Sequence, residues 1–178
     1  SYSVNERAAK EIPVLQRRAI EEQQAADRDF FDGIALAIEI GEDQRRSLQR
    51  LRQLRHRQTF GGQHHGGWYY YGGAEQESSI DLGTLVRDLD LPAEITAGLD
   101  EALGGYHEAV VALLAERLDR QLEVQQAQTH WQVAAMEHRE SGTFADNYEE
   151  ILGEPTERLG ACNQRIAAVN RDARDRLV

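Results

Sequence analysis

Apolar residues recur at steps of three and four along residues 92–141, the longest such pattern in the chain. The stretch has no glycine after Gly105, and its only proline is Pro92, at the first turn, where a missing N–H is no loss. Such steps place side chains on one face of a helix, here roughly 70 Å long. We expect other helices to pack along it, on these residues: Leu99, Leu103, Tyr106, Val110, Leu114, Leu118, Leu122, Trp131 and Met136.

A second stretch, residues 4–40, has the same period and predicts the helix that packs on the first. Phe30 and Phe31 are adjacent in it, so only one of their rings can face the same neighbour. Gly41 breaks the pattern, and a shorter and very polar helix is predicted over 42–57. The apolar positions of the second stretch are Ile12, Leu15, Ala19, Ala26, Phe30, Ile34 and Ile38.

The rest of the pattern predicts short helices and one long loop. Residues 58–79 carry three Gly-Gly pairs and show neither a helical nor a strand period, which indicates a loop. No alternating run of β-branched residues is long enough for a strand. We therefore predict an all-α single domain over 1–178, an elongated antiparallel helical hairpin or bundle with one long loop rich in glycine and aromatic residues. The further helices are 80–90, with Ser79 as its cap, and 143–152 and 155–177, separated by Gly153 and Pro155.

Charge limits the partners of this chain. Its net charge is −11, with 31 acidic residues against 20 Lys and Arg. Because binding to a nucleic-acid backbone needs clustered Lys and Arg, we expect no nucleic-acid partner. No run of 18 apolar residues exists, so we expect no membrane span. One arginine cluster lies on the predicted 42–57 helix, and we interpret it as a solvated face paired with acidic neighbours. Its members are Arg45, Arg46, Arg50, Arg52, Arg55 and Arg57.

Cys162 is the only cysteine, so no intrachain disulfide is possible. Leu159, Ile166 and Val169 share its helix face, and we therefore expect a buried, unreactive thiol. The chain does not begin with methionine. This predicts either a leader that has been removed or a fragment of a longer protein.

Two segments resemble a known family. The residues from Ile40 to Leu48, IGEDQRRSL, lie where one predicted helix ends and the next begins. They resemble the LTxxQ motif, with Ile40-Gly41 in place of Leu-Thr. The residues from Leu89 to Ile95, LDLPAEI, open the long helix in a similar way. Both segments resemble the Spy/CpxP-like periplasmic proteins and their heavy-metal-sensor relatives. That resemblance implies an all-helical hairpin, often dimeric, that acts as an envelope chaperone or metal-binding stress protein in the bacterial periplasm or outside the cell.

Motifs for catalysis are absent from the sequence. No histidine has a glutamate three residues before it, which excludes the di-iron sites of helical bundles. The zinc-protease motif HExxH and a glycine-rich phosphate loop ending in Gly-Lys-Ser/Thr are missing too. No Ser-His-Asp or Cys-His arrangement has local support. We therefore expect a non-enzymatic protein with no catalytic residues.

One metal hypothesis rests on His64 and His65, which Gly66 and Gly67 follow. Imidazoles favour copper, nickel or zinc, and unhindered glycine amides allow the backbone to approach a Cu(II) ion. The alternative is a loop whose histidines are incidental. Apart from this pair, we expect no cofactor.

Four consecutive aromatic residues follow, Trp68, Tyr69, Tyr70 and Tyr71. Trp and Tyr dominate the binding energy of protein interfaces, so this segment predicts an interface. We expect Trp68 and at least one of the tyrosines to insert into a neighbouring subunit. The leading hypothesis is a self-assembling structural or scaffold subunit whose partner is itself or another envelope protein. The alternative is a Spy-like periplasmic stress chaperone or metal-binding protein.

Overall fold

The computed structural model describes residues 2–37, 40–61, 81–89, 91–141 and 148–177. The predicted all-α class is confirmed, because these residues form five helices and no strand. None of these helices is long and apolar enough to cross a membrane. The helices are α1 (Tyr2–Ala37), α2 (Glu42–Gly61), α3 (Leu82–Asp88), α4 (Ala93–Ser141) and α5 (Tyr148–Leu177).

A polar side chain closes the start of α2. The N–H of Gly41 donates to Gln44 Oε1 at 3.0 Å, and the N–H of Arg45 donates to the Gly41 carbonyl oxygen at 3.0 Å. This is one half of a capping box, in which the third helical residue reaches back to the residue before the helix. The predicted break at Gly41 is confirmed, and the segment that resembles LTxxQ has a local physical role as a helix start.

Helix α2 continues past its predicted end at residue 57, as far as Gly61. Thr59 is buried, and its hydroxyl donates to the Arg55 carbonyl oxygen at 3.0 Å. Side-chain packing therefore keeps this turn helical, although the local sequence is polar and ends in glycine. The remainder of the predicted loop, 62–79, lies outside the described residues.

The sequence predicts helices over 143–152 and 155–177, but the described part of both, from residue 148 on, is a single helix; residues 143–147 lie outside the described residues. Helix α5 is continuous through Pro155, whereas Gly153 and Pro155 predict a break there. Proline lacks an N–H, so the Ile151 carbonyl oxygen has no backbone partner four residues on. Leu152 and Cys162 are both buried, and their burial holds the helix together on either side of the proline. Helix α1 contains a proline too, Pro13.

The chain divides into two compact units, each built from separate segments. Unit 1 comprises Ser1–Ala19 and Glu116–Cys162, and unit 2 comprises Ile20–Ala115 and Asn163–Val178. Each of α1, α4 and α5 contributes residues to both units. The prediction of one domain is not tested by this division and stays a prediction.

Unit 1 contains parts of α1, α4 and α5. An ion pair joins α1 to α4, with Arg17 Nη2 at 2.5 Å from Asp119 Oδ1. The rings of Trp131 and Tyr148 meet edge to face, with centroids 5.2 Å apart, and join α4 to α5. The predicted burial of Cys162 is confirmed, since only 1% of it is exposed. The buried apolar residues of this unit are Leu118, Leu122, Val124, Leu152 and Cys162.

Unit 2 contains the other parts of these helices together with α2 and α3. Two ion pairs, Asp27 with Arg55 and Asp32 with Arg52, show that α1 and α2 run antiparallel. Its buried apolar residues are Ile20, Phe31, Leu54, Leu82, Val86, Leu103, Tyr106, Val110, Leu113, Leu114, Ile166 and Ala167.

The predicted core face of α4 is confirmed over most of its length. Seven residues named from the pattern have defined burial in its first thirty positions, and all but Leu99 are buried. Leu99 is partly exposed, and Met136, near the other end of the pattern, is exposed. The buried members are Leu103, Tyr106, Val110, Leu114, Leu118 and Leu122.

The predicted core face of α1 is wrong except at Ile34, which is partly buried, and Ile38 lies outside the described residues. Ile12, Leu15 and Phe30 are exposed, and the ring of Phe31 is buried in place of Phe30. The inward face of α1 includes polar residues such as Gln24 and Asp27, which are partly buried. Because the prediction uses apolar positions only, it selects a different face of the helix. The inward face comprises Gln16, Ile20, Gln24, Asp27, Phe31 and Ile34.

Candidate functional site

A buried arginine joins three helices of unit 2. Only 5% of Arg57, on α2, is exposed. Its Nε donates to both carboxylate oxygens of Asp81, at 3.1 Å and 2.9 Å, just before α3. Its Nη1 lies 3.0 Å from Nδ1 of His107 on α4. Its guanidinium carbon lies 5.6 Å from the centre of the Tyr106 ring. A buried cation is thus neutralised by one carboxylate and hydrogen-bonded to an imidazole, as burial of a charge requires.

Asp81 also starts helix α3. Its Oδ1 accepts the N–H of Gly83 at 2.9 Å and the N–H of Thr84 at 3.2 Å. These are the bonds of a helix cap, which the sequence predicts at Ser79. Aspartate caps a helix as well as serine does, and here its negative charge also neutralises Arg57. The same carboxylate therefore satisfies a side chain of α2 and the first amides of α3.

His107 is neutral at physiological pH. Burial, then the charge of Arg57 and the nearby His56, lower the pKa of His107 from 6.5 to about 4. Burial also lowers the pKa of His56, with Arg52, Arg28 and Arg57 adding to the effect. Because a guanidinium only donates, Nδ1 of His107 must accept, which assigns the imidazole proton to Nε2.

Tyr106 extends this polar cluster to α5. Its hydroxyl donates to Asn170 Oδ1 at 2.9 Å and accepts from the N–H of Leu82 at 3.4 Å. Burial raises the pKa of Tyr106, so the hydroxyl keeps its proton for Asn170. The cluster of Arg57, Asp81, Tyr106, His107 and Asn170 fixes helix positions, because its polar groups are bonded to one another.

A groove lies beside this cluster, between α1 and α2. It encloses about 540 Å³ and reaches His107 of α4. The groove carries three arginines, Arg28, Arg45 and Arg52, and one carboxylate, Asp27. Its remaining wall residues are Gln24, Phe31, Ala35, Leu48, Gln49, Gln53, His56 and Thr59. The groove is therefore positive on a chain whose net charge is −11.

The arginine cluster of the sequence is largely a paired face, as interpreted. Arg46 bonds Asp43 at 2.7 Å, and Arg52 and Arg55 bond the carboxylates of α1. Arg50 donates to the Thr96 carbonyl oxygen at 3.1 Å. Arg57 departs from that interpretation, because it is buried rather than solvated.

The site residues predicted from the sequence all lie outside the described residues. This holds for the interface residues Trp68, Tyr69, Tyr70 and Tyr71 and for the metal-binding pair His64 and His65. Among the residues that the structure describes, no group of three or more His, Cys, Asp or Glu could hold a metal ion. The interface and metal hypotheses therefore stay predictions.

Sequence reasoning missed the cluster around Arg57. Asp81 and His107 lie 24 and 50 residues from Arg57 along the chain, and no short motif links them. The only local signal is an aspartate two residues before a glycine at the start of a short helical pattern. Comparisons of the chain with protein-family models, with curated proteins and with solved structures found no match.

Proposed function

We propose that this is a non-enzymatic helical protein that works through protein–protein contacts, as a self-assembling structural or scaffold subunit. The observation that supports this best is an apolar stripe on α1, defined as Ile12, Leu15, Ala19, Ala26 and Phe30. All five are exposed, and 60% of Leu15 and 61% of Phe30 are accessible to solvent. Their spacing is that of a helix face that packs on another helix.

The exposed apolar residues of α1 differ from those of an ordinary protein surface in their number and their spacing. A single exposed leucine is ordinary on a protein surface. Three large apolar side chains at helical spacing are different, since burying the exposed half of each would contribute about 1 kcal/mol. Ile12 and Leu15 belong to unit 1 and Phe30 belongs to unit 2, so each unit has exposed apolar residues of its own on α1.

The aromatic segment Trp68 to Tyr71 is the second feature on which this proposal rests. Its support comes from residue type, because tryptophan and tyrosine are the commonest anchors of interfaces. A location in the bacterial periplasm or outside the cell rests on the resemblance to Spy/CpxP-like proteins. The same resemblance, together with His64 and His65, supports the second candidate, a stress chaperone or metal-binding protein.

Sedimentation velocity over a range of concentrations tests the proposal. The triple variant Ile12→Ala, Leu15→Ala, Phe30→Ala is expected to keep its helical circular dichroism, because all three side chains are exposed. Its self-association should weaken by about a hundredfold or more, since interface anchors contribute about 1–2 kcal/mol each.

A matched control removes the same number of exposed apolar side chains outside α1. It carries Leu85→Ala, Leu89→Ala and Ile95→Ala, all about half exposed, and should assemble like the wild type.

A third variant with Trp68, Tyr69, Tyr70 and Tyr71 replaced by serine tests the aromatic segment. A wild type that stays monomeric at every concentration would contradict self-assembly. Equal loss in the control and the α1 variant would contradict the role of the stripe.

A further inference from the structure

The charge of the groove between α1 and α2 is opposite in sign to that of the chain. Asp27, its one carboxylate, is bonded to Arg55 at 3.0 Å, and Arg52 is bonded to Asp32 at 2.9 Å. The remaining charges of the wall are Arg28 on α1 and Arg45 on α2, both exposed. Within the part of the chain that the structure describes, no carboxylate pairs with either of them.

The histidines in the wall add no charge at physiological pH. Burial and the surrounding arginines lower the pKa of His56, and Arg28 is one of those arginines. His107 is neutral for similar reasons. The groove therefore stays positive through its arginines, and its imidazoles act as neutral donors or acceptors.

Apolar surface lies within the same groove. Phe31 and Ala35 of α1 face the space together with Leu48 of α2, and three glutamines supply neutral hydrogen-bonding groups. A volume of about 540 Å³ falls within the range of small-molecule sites, which combine apolar walls with a few polar groups that orient the ligand.

We propose that this groove binds a small organic anion, a carboxylate with an apolar body. Arg28 on α1 binds the carboxylate on the side of His56, because a guanidinium offers paired N–H donors that match two carboxylate oxygens. Arg45 on α2 adds to the positive charge of the same groove. Phe31 and Leu48 contact the apolar body. This site goes beyond the proposed function, since it requires no second copy of the chain.

Isothermal titration with octanoate tests the site, with octylamine and inorganic phosphate as comparison probes. Octanoate is expected to bind with one site per chain. Octylamine has the same apolar chain with the opposite charge and should bind at least about tenfold more weakly, as should phosphate, which has charge without the chain. Octylamine binding as tight as octanoate would overturn the charge assignment. If phosphate binds as tightly as octanoate, the apolar wall contributes nothing to binding and that part of the proposal is overturned. If octanoate does not bind, the whole proposal is overturned.

Two double variants separate the groove from overall charge. Arg28→Gln with Arg45→Gln should weaken octanoate binding by about tenfold or more, because charge-assisted hydrogen bonds are lost. Arg46→Gln with Arg158→Gln removes the same charge from exposed arginines that do not line the groove, and it should bind like the wild type. All four side chains are exposed, so both variants should keep the wild-type thermal midpoint. Equal binding by the two double variants would overturn the assignment of Arg28 and Arg45.

An NMR titration of His56 gives a readout at the site itself. A bound carboxylate beside the imidazole stabilises its protonated form, so saturating octanoate should raise the pKa of His56. At the same octanoate concentration the rise in the pKa of His56 should be smaller in the Arg28→Gln, Arg45→Gln variant, because less octanoate is bound. A pKa of His56 that does not respond in the wild type would place octanoate elsewhere and overturn the proposal.

Discussion

Replacing Gly83 by alanine is expected to destabilise the protein, although the same replacement at Gly105 is expected to stabilise it. Both glycines lie inside helices of unit 2. A Cβ atom on Gly83 would lie 1.9 Å from Arg57 Nη2 and 3.0 Å from its guanidinium carbon. A Cβ atom on Gly105 would meet nothing within 4 Å. The two sites therefore differ in what the new methyl group touches.

Two opposing effects determine how much Gly83→Ala changes the free energy of unfolding. Alanine is favoured over glycine in a helix by about 1 kcal/mol. At Gly83 the methyl group forces the guanidinium of Arg57 away from Asp81 and His107, and breaking a buried charge pair costs about 3–5 kcal/mol. Asp81 is partly exposed, so water stabilises it after the separation and the lower part of that range applies. We expect a net loss of about 2–3 kcal/mol for Gly83→Ala and a gain of about 0.5–1 kcal/mol for Gly105→Ala.

Urea unfolding monitored by circular dichroism measures both changes. A second measurement uses the Arg57→Met background, in which the guanidinium is absent. There Gly83→Ala should cost less than it does with Arg57 present, because of the close contacts only Asp81 Oδ1, 3.2 Å from the new Cβ atom, remains. If Gly83→Ala stabilises the protein with Arg57 present, the packing of Arg57 on Gly83 is refuted.

Two further predictions concern histidines. The pKa of His107 is about 6.5 unfolded and about 4 folded, so the unfolded state binds more protons between these values, and the free energy of unfolding falls as the pH drops from 6.5 towards 4. The full difference in pKa corresponds to about 3 kcal/mol of unfolding free energy, which solvent screening at this half-buried site reduces to about 1–2 kcal/mol. Urea unfolding should show this loss of stability at low pH in the wild type and not in His107→Gln. Parallel curves of stability against pH for the two proteins would contradict the prediction. If His64 and His65 bind copper, replacing both by alanine should abolish Cu(II) uptake. The copper affinity of the wild type should fall below about pH 6, because imidazoles must be unprotonated to bind a metal. Calorimetry that shows no heat of copper binding to the wild type would exclude the site.

The sequence predicts the buried face of α4 well because most of that face is apolar, although it also holds the buried Arg117. Leu103, Val110 and Leu114 follow the helical period without polar interruptions, so the apolar letters and the inward face coincide. On α1 the apolar positions and the inward face do not coincide. Asp27 faces inward because Arg55 neutralises it, and that partner lies 28 residues away along the chain. A pattern of apolar letters cannot include a residue whose burial depends on a distant charge.

The candidate site shows the same limit. The arginine run of α2 is obvious in the sequence, yet nothing in its spacing tells Arg57, which is buried, from Arg55, which is exposed. The difference arises from tertiary placement against Asp81 and His107. The helix through Pro155 is a related case, since burial of Leu152 and Cys162 overrides a local breaking signal.

The double role of Asp81 has a consequence for how unit 2 opens. Helix α3 has only seven residues, far fewer than the roughly 12–15 that an isolated helix needs to be marginally stable. Its first amides and the guanidinium of Arg57 depend on the same carboxylate. Release of that carboxylate removes the cap of α3 and leaves the buried cation of α2 unneutralised in a single event. Helix α3 should therefore open together with its contacts to α2 and α4, as one cooperative unit rather than as a short helix that frays by itself.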